Sequence, residues 1–259
     1  MHILFLADVV GAPGRKALEE RLPSLIEELA VDVCIANGEN LADGVGITPK
    51  LADRVLSYGV DAITLGNHTW RRSEIVPYLA GSDRVVRPAN LGSRAPGKGL
   101  TIVTARNGVE VAVLNVMGSL FIEVPVSMWE VVDELVDEAR RRTNVVFVDV
   151  HAEATSEKVA LAQWLDGKVT AVVGTHTHVQ TNDPRVLPGG TAALTDAGMT
   201  GPHGSVIGVQ SELAIKRMRT GLPVRFETAA GDVRIEGALV DCDENGRAMA
   251  CETVRVAVG

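Results

Sequence analysis

The sequence predicts an α/β protein whose mixed, largely parallel sheets are flanked by helices. Three observations carry that prediction. Apolar runs of strand length alternate with segments of helical periodicity from His2 to Val173, two alternating apolar runs surround Asn107-Gly108, and the C-terminal stretch alternates apolar and polar residues. Strand and helix in regular alternation build parallel sheets with helices on their faces. An Asn-Gly pair between apolar runs adds an antiparallel hairpin and makes the sheet mixed.

The first strand is HILFLADVV, His2 to Val10. GRKALEERLPSLIEELA, Gly14 to Ala30, follows as a helix, with Leu18, Leu22, Leu25, Ile26 and Leu29 at helical spacing. VDVCIANGEN is a second strand running into Asn37-Gly38, and TPKLADRVLSYG a second helix, with Thr48 as N-cap and Pro49 at the first helical position. VDAITLGNH supplies the third strand, and a short helix lies near Ser73 to Leu79. After the hairpin comes SMWEVVDELVDEARRR, an amphipathic helix with acids early and arginines late, as the helix dipole favours. NVVFVDVHAE is the next strand, a helix covers Ser156 to Leu165, and Val169 to Val173 form a buried strand. From Val224 to Val258 the pattern is antiparallel, with turns at Ala230-Gly231-Asp232 and Asp243-Glu244-Asn245-Gly246.

Composition bounds the class. With 259 residues, 46% hydrophobic and 22% charged, the chain can bury a sizeable core; we read residues 1–259 as one domain. No segment is repetitive or polar enough for a disordered linker. Asp8 interrupts the apolar start, no basic region precedes it, and no apolar run approaches the roughly 20 residues that span a bilayer. Cys34, Cys242 and Cys251 have no ligand-like spacing. The expectation is a cytoplasmic protein with no membrane partner. A formal charge of −8 argues against a broad nucleic-acid surface, although not against a small phosphorylated substrate. The low charge density suits a homo-oligomer.

The polar residues fall where apolar strands turn into loops: Asp8, then Glu39 and Asn40, then Asn67 and His68, then His151, then His176 and His178. Each alone has a bland explanation as turn chemistry or a satisfied histidine. Together they would meet, because ligands of α/β sheets bind outside the carboxyl ends of the strands. His176 and His178, two apart on an extended strand, would share a face and reach one centre or two adjacent ones. Imidazoles, carboxylates and amide oxygens without thiolate suit manganese, iron, zinc or a similar ion. There are too many for one ion, and a metal pair about 3.5–4 Å apart is an arrangement used in phosphoester hydrolysis.

Asp8, NGEN (Asn37 to Asn40), GNH (Gly66 to His68), His151 and GTHTH (Gly174 to His178) resemble the ordered motif blocks of the calcineurin-like metallophosphoesterases. More narrowly, ADVVGAPGR, ANGEN, LGNHTW, GTHTHVQT and TDAGMTGP are similar to the YmdB-like bacterial branch, from Met1 to beyond Pro202. The superfamily's first block is Asp-x-His, but Val10 stands in the histidine's place here, and Glu39 replaces a bridging aspartate. Both departures are those of the YmdB-like branch.

The resemblance implies a four-layer α/β/β/α sandwich and two divalent ions, iron or manganese foremost, zinc or magnesium next. It implies Asp8, Glu39 and His178 around one ion, with Glu39, Asn40, Asn67, His151 and His176 around the other. Hydroxide generated at the metal pair would attack phosphorus, and His68 would protonate the leaving oxygen as general acid. The implied substrates are phosphodiesters, including 2′,3′-cyclic nucleotides, with phosphomonoesters poorer. Trp70 is the candidate base-stacking residue, and Asp196 to Ser205, with Thr200 and His203, the candidate substrate loop. Two rivals stand beside this reading. A binuclear amidohydrolase also uses His-x-His, but early in the chain and often with a bridging lysine; here the pair is late, and Lys158 and Lys168 are not at strand ends. The other rival is a regulatory metal- or nucleotide-binding protein that does not turn substrate over; a phosphomonoesterase is the nearer alternative within the enzyme class.

Overall fold

The computed structural model describes residues 1–258. β1 (His2–Leu6) leads to α1 (Gly11–Glu28), β2 (Val33–Asn37), α2 (Pro49–Ser57), β3 (Ala62–Thr64) and α3 (Ile75–Gly81). The hairpin β4 (Leu100–Thr104) and β5 (Glu110–Met117) precedes α4 (Val132–Arg140), β6 (Val146–His151), α5 (Thr155–Trp164) and β7 (Ala171–Thr175). Short strands β8 (Arg185–Val186), β9 (Ala192–Leu194) and β10 (Gly201–Pro202) come next, then α6 (Ser211–Thr220) and the long ribbon β11 (Val233–Cys242) and β12 (Ala248–Val258).

Two six-stranded sheets result. In the first, β1, β2 and β3 are parallel, β11 runs antiparallel beside β1, and β10 and β12 pair with β11. In the second, β5, β6, β7 and β9 are parallel, with β4 and β8 antiparallel at the edges. Alternation along each strand sorts side chains into layers. Ile3 and Phe5 of β1, Ile35 of β2, Val113 of β5, Phe147 of β6 and Val173 of β7 share one core between the sheets. On the opposite face of the first sheet, Leu4 and Leu6 pack with Leu18 and Leu22 of α1, Val55 of α2 and Leu79 of α3. On that of the second, Leu114, Val148 and Val172 pack with Val136 of α4 and Leu161 of α5. Helix, sheet, sheet and helix thus form the four layers the resemblance implies.

Local chemistry accounts for most element ends. The Thr48 hydroxyl accepts from Leu51 N–H, with Pro49 opening α2, and Gly108 takes the left-handed φ of 85° that the β4–β5 turn requires. Four expectations are corrected. α1 begins at Gly11, before the expected Gly14. The expected long helix from Ser127 is split: Ser127 and Glu130 form a capping box on a short 3₁₀ turn, and α4 starts only at Val132. The antiparallel ribbon begins at Val233; Val224 to Thr228 lie mostly exposed, and Thr228 forms an isolated antiparallel bridge with Val209 instead of a strand. α6, assigned to no element by sequence, forms although Ala214 is its one buried residue.

Candidate metal centre

Five parallel strands end at one seam between the sheets. Asp8 lies just past β1, Glu39 and Asn40 past β2, Asn67 and His68 past β3; His151 closes β6, and His176 and His178 follow β7. Asp8, Glu39, Asn40 and His151 are buried, whereas the His68 side chain is 24% exposed. Donor atoms sharing one ion at about 2.1 Å stand about 3–4 Å apart, and such spacings recur here. His151 Nε2 lies 3.1 Å from His176 Nδ1, 2.9 Å from Asn67 Oδ1 and 3.4 Å from Glu39 Oε1. His178 Nε2 lies 3.9 Å from Asp8 Oδ1 and accepts a hydrogen bond from the Asn40 amide at 3.1 Å. Gly66 is required at this point, since a Cβ there would overlap His151 and Glu39.

One expectation of geometry is corrected. β7 stops at Thr175, and His176 and His178 have left-handed φ values of 100° and 62° rather than extended ones. The turn sends them apart, His176 to His151 and His178 to Asn40 and Asp8. Backbone held in this region is strained, and such strain concentrates at functional sites.

The electrostatics call for a cation. Burial pushes the Asp8 carboxyl up, only partly offset by His178 and His151, and Oδ1 of Asp8 is buried without a hydrogen-bond partner. Burial would lower His151, yet the Glu39, Asp8 and Asp149 carboxylates raise it to about 9. Burial also opposes ionisation of Glu39, but His151 and His68 hold it well below the usual carboxylate range. His176 is driven down to about 3 by burial and by the neighbouring His151. A protonated imidazole thus balances carboxylates that a divalent ion would balance equally, and an unpartnered buried oxygen is what an ion would satisfy. The residues present fit bound divalent metal.

Each histidine of the cluster has an outer partner that aims its other nitrogen inward. The Thr175 hydroxyl donates to Asp149 Oδ1 at 2.7 Å and lies 2.9 Å from His151 Nδ1; it therefore accepts from Nδ1–H, leaving Nε2 facing the cluster. His178 Nδ1–H donates to the Ile207 carbonyl at 2.9 Å, and His176 Nε2 lies 3.1 Å from Glu153. Such contacts fix tautomer and ring orientation in metal sites. The Thr64 hydroxyl and Asn37 amide also donate to Asp149, whose carboxyl burial raises to about 6 against these hydrogen bonds. Lys158 and Asp196 form a buried pair at 2.7 Å, and Asp196 accepts from Thr177 N–H and its hydroxyl, fixing the turn between the two histidines. Sequence reasoning missed Asp149, Thr175 and Asp196; the first was legible only as a polar break within an apolar strand.

The expected substrate residues are dispersed. Trp70 is 37% exposed on the loop after His68. The fully buried Thr200 hydroxyl donates to the Glu236 carbonyl, so it serves the fold rather than an open site. His203 Nε2 faces the Met199 carbonyl at 3.1 Å.

Face-to-face mixed sheets with an imidazole and carboxylate cluster on the seam are the arrangement that the resemblance to the calcineurin-like metallophosphoesterases implies. More narrowly, the chain belongs to the YmdB-like protein family, whose model matches residues 4–254. It is 48% identical over 244 residues to the 2′,3′-cyclic-nucleotide 2′-phosphodiesterase of Bacillus subtilis strain 168, covering 94% of this chain and 92% of that protein. A hypothetical protein from Thermus thermophilus superposes with a TM-score of 0.92 at 40% identity, covering 99% of both chains. A novel phosphatase from Mycoplasma pneumoniae gives 0.91 at 32%, covering 99% of this chain and 93% of that one. A 5′-nucleotidase precursor, also from Thermus thermophilus, shares the fold at 13% identity and a TM-score of 0.58, covering 99% of this chain and 54% of that one.

Proposed function

We propose that this protein is a metal-dependent phosphodiesterase acting on 2′,3′-cyclic nucleotides, with phosphomonoesters as poorer substrates. The observation that carries the reading is the buried cluster itself, with its unpartnered Asp8 oxygen and its inward-facing imidazoles. The 48% identity to a 2′,3′-cyclic-nucleotide 2′-phosphodiesterase supports the substrate class.

Asp8, Glu39 and His178 would hold one divalent ion, and Glu39, Asn40, Asn67, His151 and His176 a second; iron or manganese suits this nitrogen and oxygen set. Such ions, when bound, supply Lewis acidity that lowers the pKa of water and neutralises phosphoryl charge. Glu39 serves both groups of ligands, and its carboxylate is held by the His68 N–H at 2.9 Å and the Asn40 amide at 3.2 Å. His68 Nδ1 donates to Asn40 Oδ1 at 2.7 Å, which fixes the ring and leaves Nε2 to carry a proton to the leaving oxygen. The buried seam keeps bulk water from the carboxylates, so fixed dipoles do not reorganise as charge develops.

Protein stripped with a chelator and reloaded with manganese or ferrous iron should cleave 2′,3′-cyclic AMP, and the stripped protein should not. His68→Ala should lower kcat by about 10²–10⁴-fold, the usual worth of a general acid, with metal content by elemental analysis unchanged. Lost metal in that variant would refute its role, and absence of turnover in every reloaded sample would refute the enzyme reading.

A further inference from the structure

β3 and β5 face each other across the inter-sheet core. Leu65 N–H, just beyond β3, donates to the Asn115 side chain of β5 at 3.1 Å. β5 also runs parallel to β6, with Met117 opposite His151, and Gly118 N–H donates to the His151 carbonyl at 3.0 Å. The chain leaving β5 therefore emerges at the end of the molecule where Asn67, His68 and His151 lie.

That chain forms a loop held at both feet. The buried Asn90 amide donates to the carbonyls of Met117 and Val126, at 2.8 and 3.1 Å. Glu157 accepts from Ser119 and Leu120 N–H, at 2.7 and 3.2 Å. Between these anchors stands Phe121, 89% exposed and at a left-handed φ of 69°. A bulky residue in that backbone region is an outlier, and a whole phenyl ring in water gains nothing from the fold.

The chain has few other aromatic rings to offer a ligand: four Phe, three Trp and two Tyr in all. Phe5 and Phe147 stack in the inter-sheet core, Phe226 lies under Arg217, and Tyr78 donates to Asp53. Tyr58 and Trp164 lie where α2 and α5 return to the amino ends of the strands that follow, away from the cluster. Trp70, Phe121 and Trp129 remain: Trp70 and Phe121 on the loops that leave the two facing strands, Trp129 on the 3₁₀ turn that closes the second loop, where it is 42% exposed against 89% for Phe121.

We infer that Phe121 is a nucleobase platform: with the phosphodiester held at the metal centre, the base of the nucleotide stacks on the Phe121 ring, on the opposite wall of the crevice from Trp70. The inference rests on the phosphodiesterase reading and adds a residue that selects substrate. Stacking on one aromatic face tolerates any base, so this subsite prefers nucleotides over base-free diesters without separating adenine from the other bases.

The test compares manganese-loaded wild type, Phe121→Ala and Phe121→Trp on 2′,3′-cyclic AMP and on methyl riboside 2′,3′-cyclic phosphate, which lacks the base. Phe121→Ala should raise KM for the nucleotide about tenfold with kcat nearly unchanged and leave the base-free substrate unaffected; Phe121→Trp should restore the wild-type KM. By calorimetry, Phe121→Ala should weaken adenosine 3′-monophosphate but not inorganic phosphate. Equal effects on both substrates, or none on either, would overturn the inference, as would a change in mass by light scattering that assigns Phe121 to contact between copies. If wild type cleaves neither substrate, the phosphodiesterase reading falls first and this subsite falls with it.

Discussion

At the scale of single residues, the centre depends on groups that never face the substrate. Thr175 is one: its hydroxyl accepts from His151 and donates to Asp149 within a fully buried set. Thr175→Val preserves shape but leaves His151 Nδ1 and an Asp149 oxygen without that partner. Metal affinity should fall about 10–100-fold, as it does when outer partners are lost, with stability lower by about 1–3 kcal/mol. Competition against a chromogenic chelator reads the first quantity, and unchanged affinity would mean that Thr175 serves the fold alone. The residues proposed as ligands were legible as candidates because each sits where an apolar run stops. Thr175 and Asp149 were not, since their meaning comes from strands distant in sequence.

At the scale of elements, the segment after β7 carries the two strained histidines, and its far end is pinned by Asp183. Burial would raise that carboxyl, but hydrogen bonds from Thr195, Thr181 and Arg185 bring it down to about 2. A folded-state pKa below the unfolded value contributes stability that is present above about 4 and lost as pH falls through about 2. Asp183→Asn should therefore cost about 1 kcal/mol at pH 7, after allowing for solvent screening of a partly exposed group, and the gap should narrow below pH 4. Urea melts of both proteins across that range measure it; a gap independent of pH would show that the charge contributes nothing. The element ends expose the same limit of sequence reading. Thr48-Pro49 and Asn107-Gly108 were readable because cap and turn are local. The His176–His178 turn was not, because Asp196, its anchor, arrives from a later segment paired with Lys158.

At the scale of the whole molecule, the two sheets are joined by one apolar layer in which Phe5 and Phe147 stand 5.0 Å apart, ring centre to ring centre. Both are fully buried. Phe147→Ala should cost about 3–5 kcal/mol, read by urea unfolding, and a loss below about 1 kcal/mol would mean that the sheets close over the gap. The same layer fixes the distance between Asp8, Glu39 and Asn67 on one sheet and His151, His176 and His178 on the other. Any ion shared by these residues is then a rivet through the seam as well as a reagent. Its binding free energy is added to the resistance of the seam to opening, by about 1.4 kcal/mol for each tenfold of free metal above its dissociation constant. Heat resistance in this protein would consequently track metal supply, and the metal-poor chain would be the form that proteases find first.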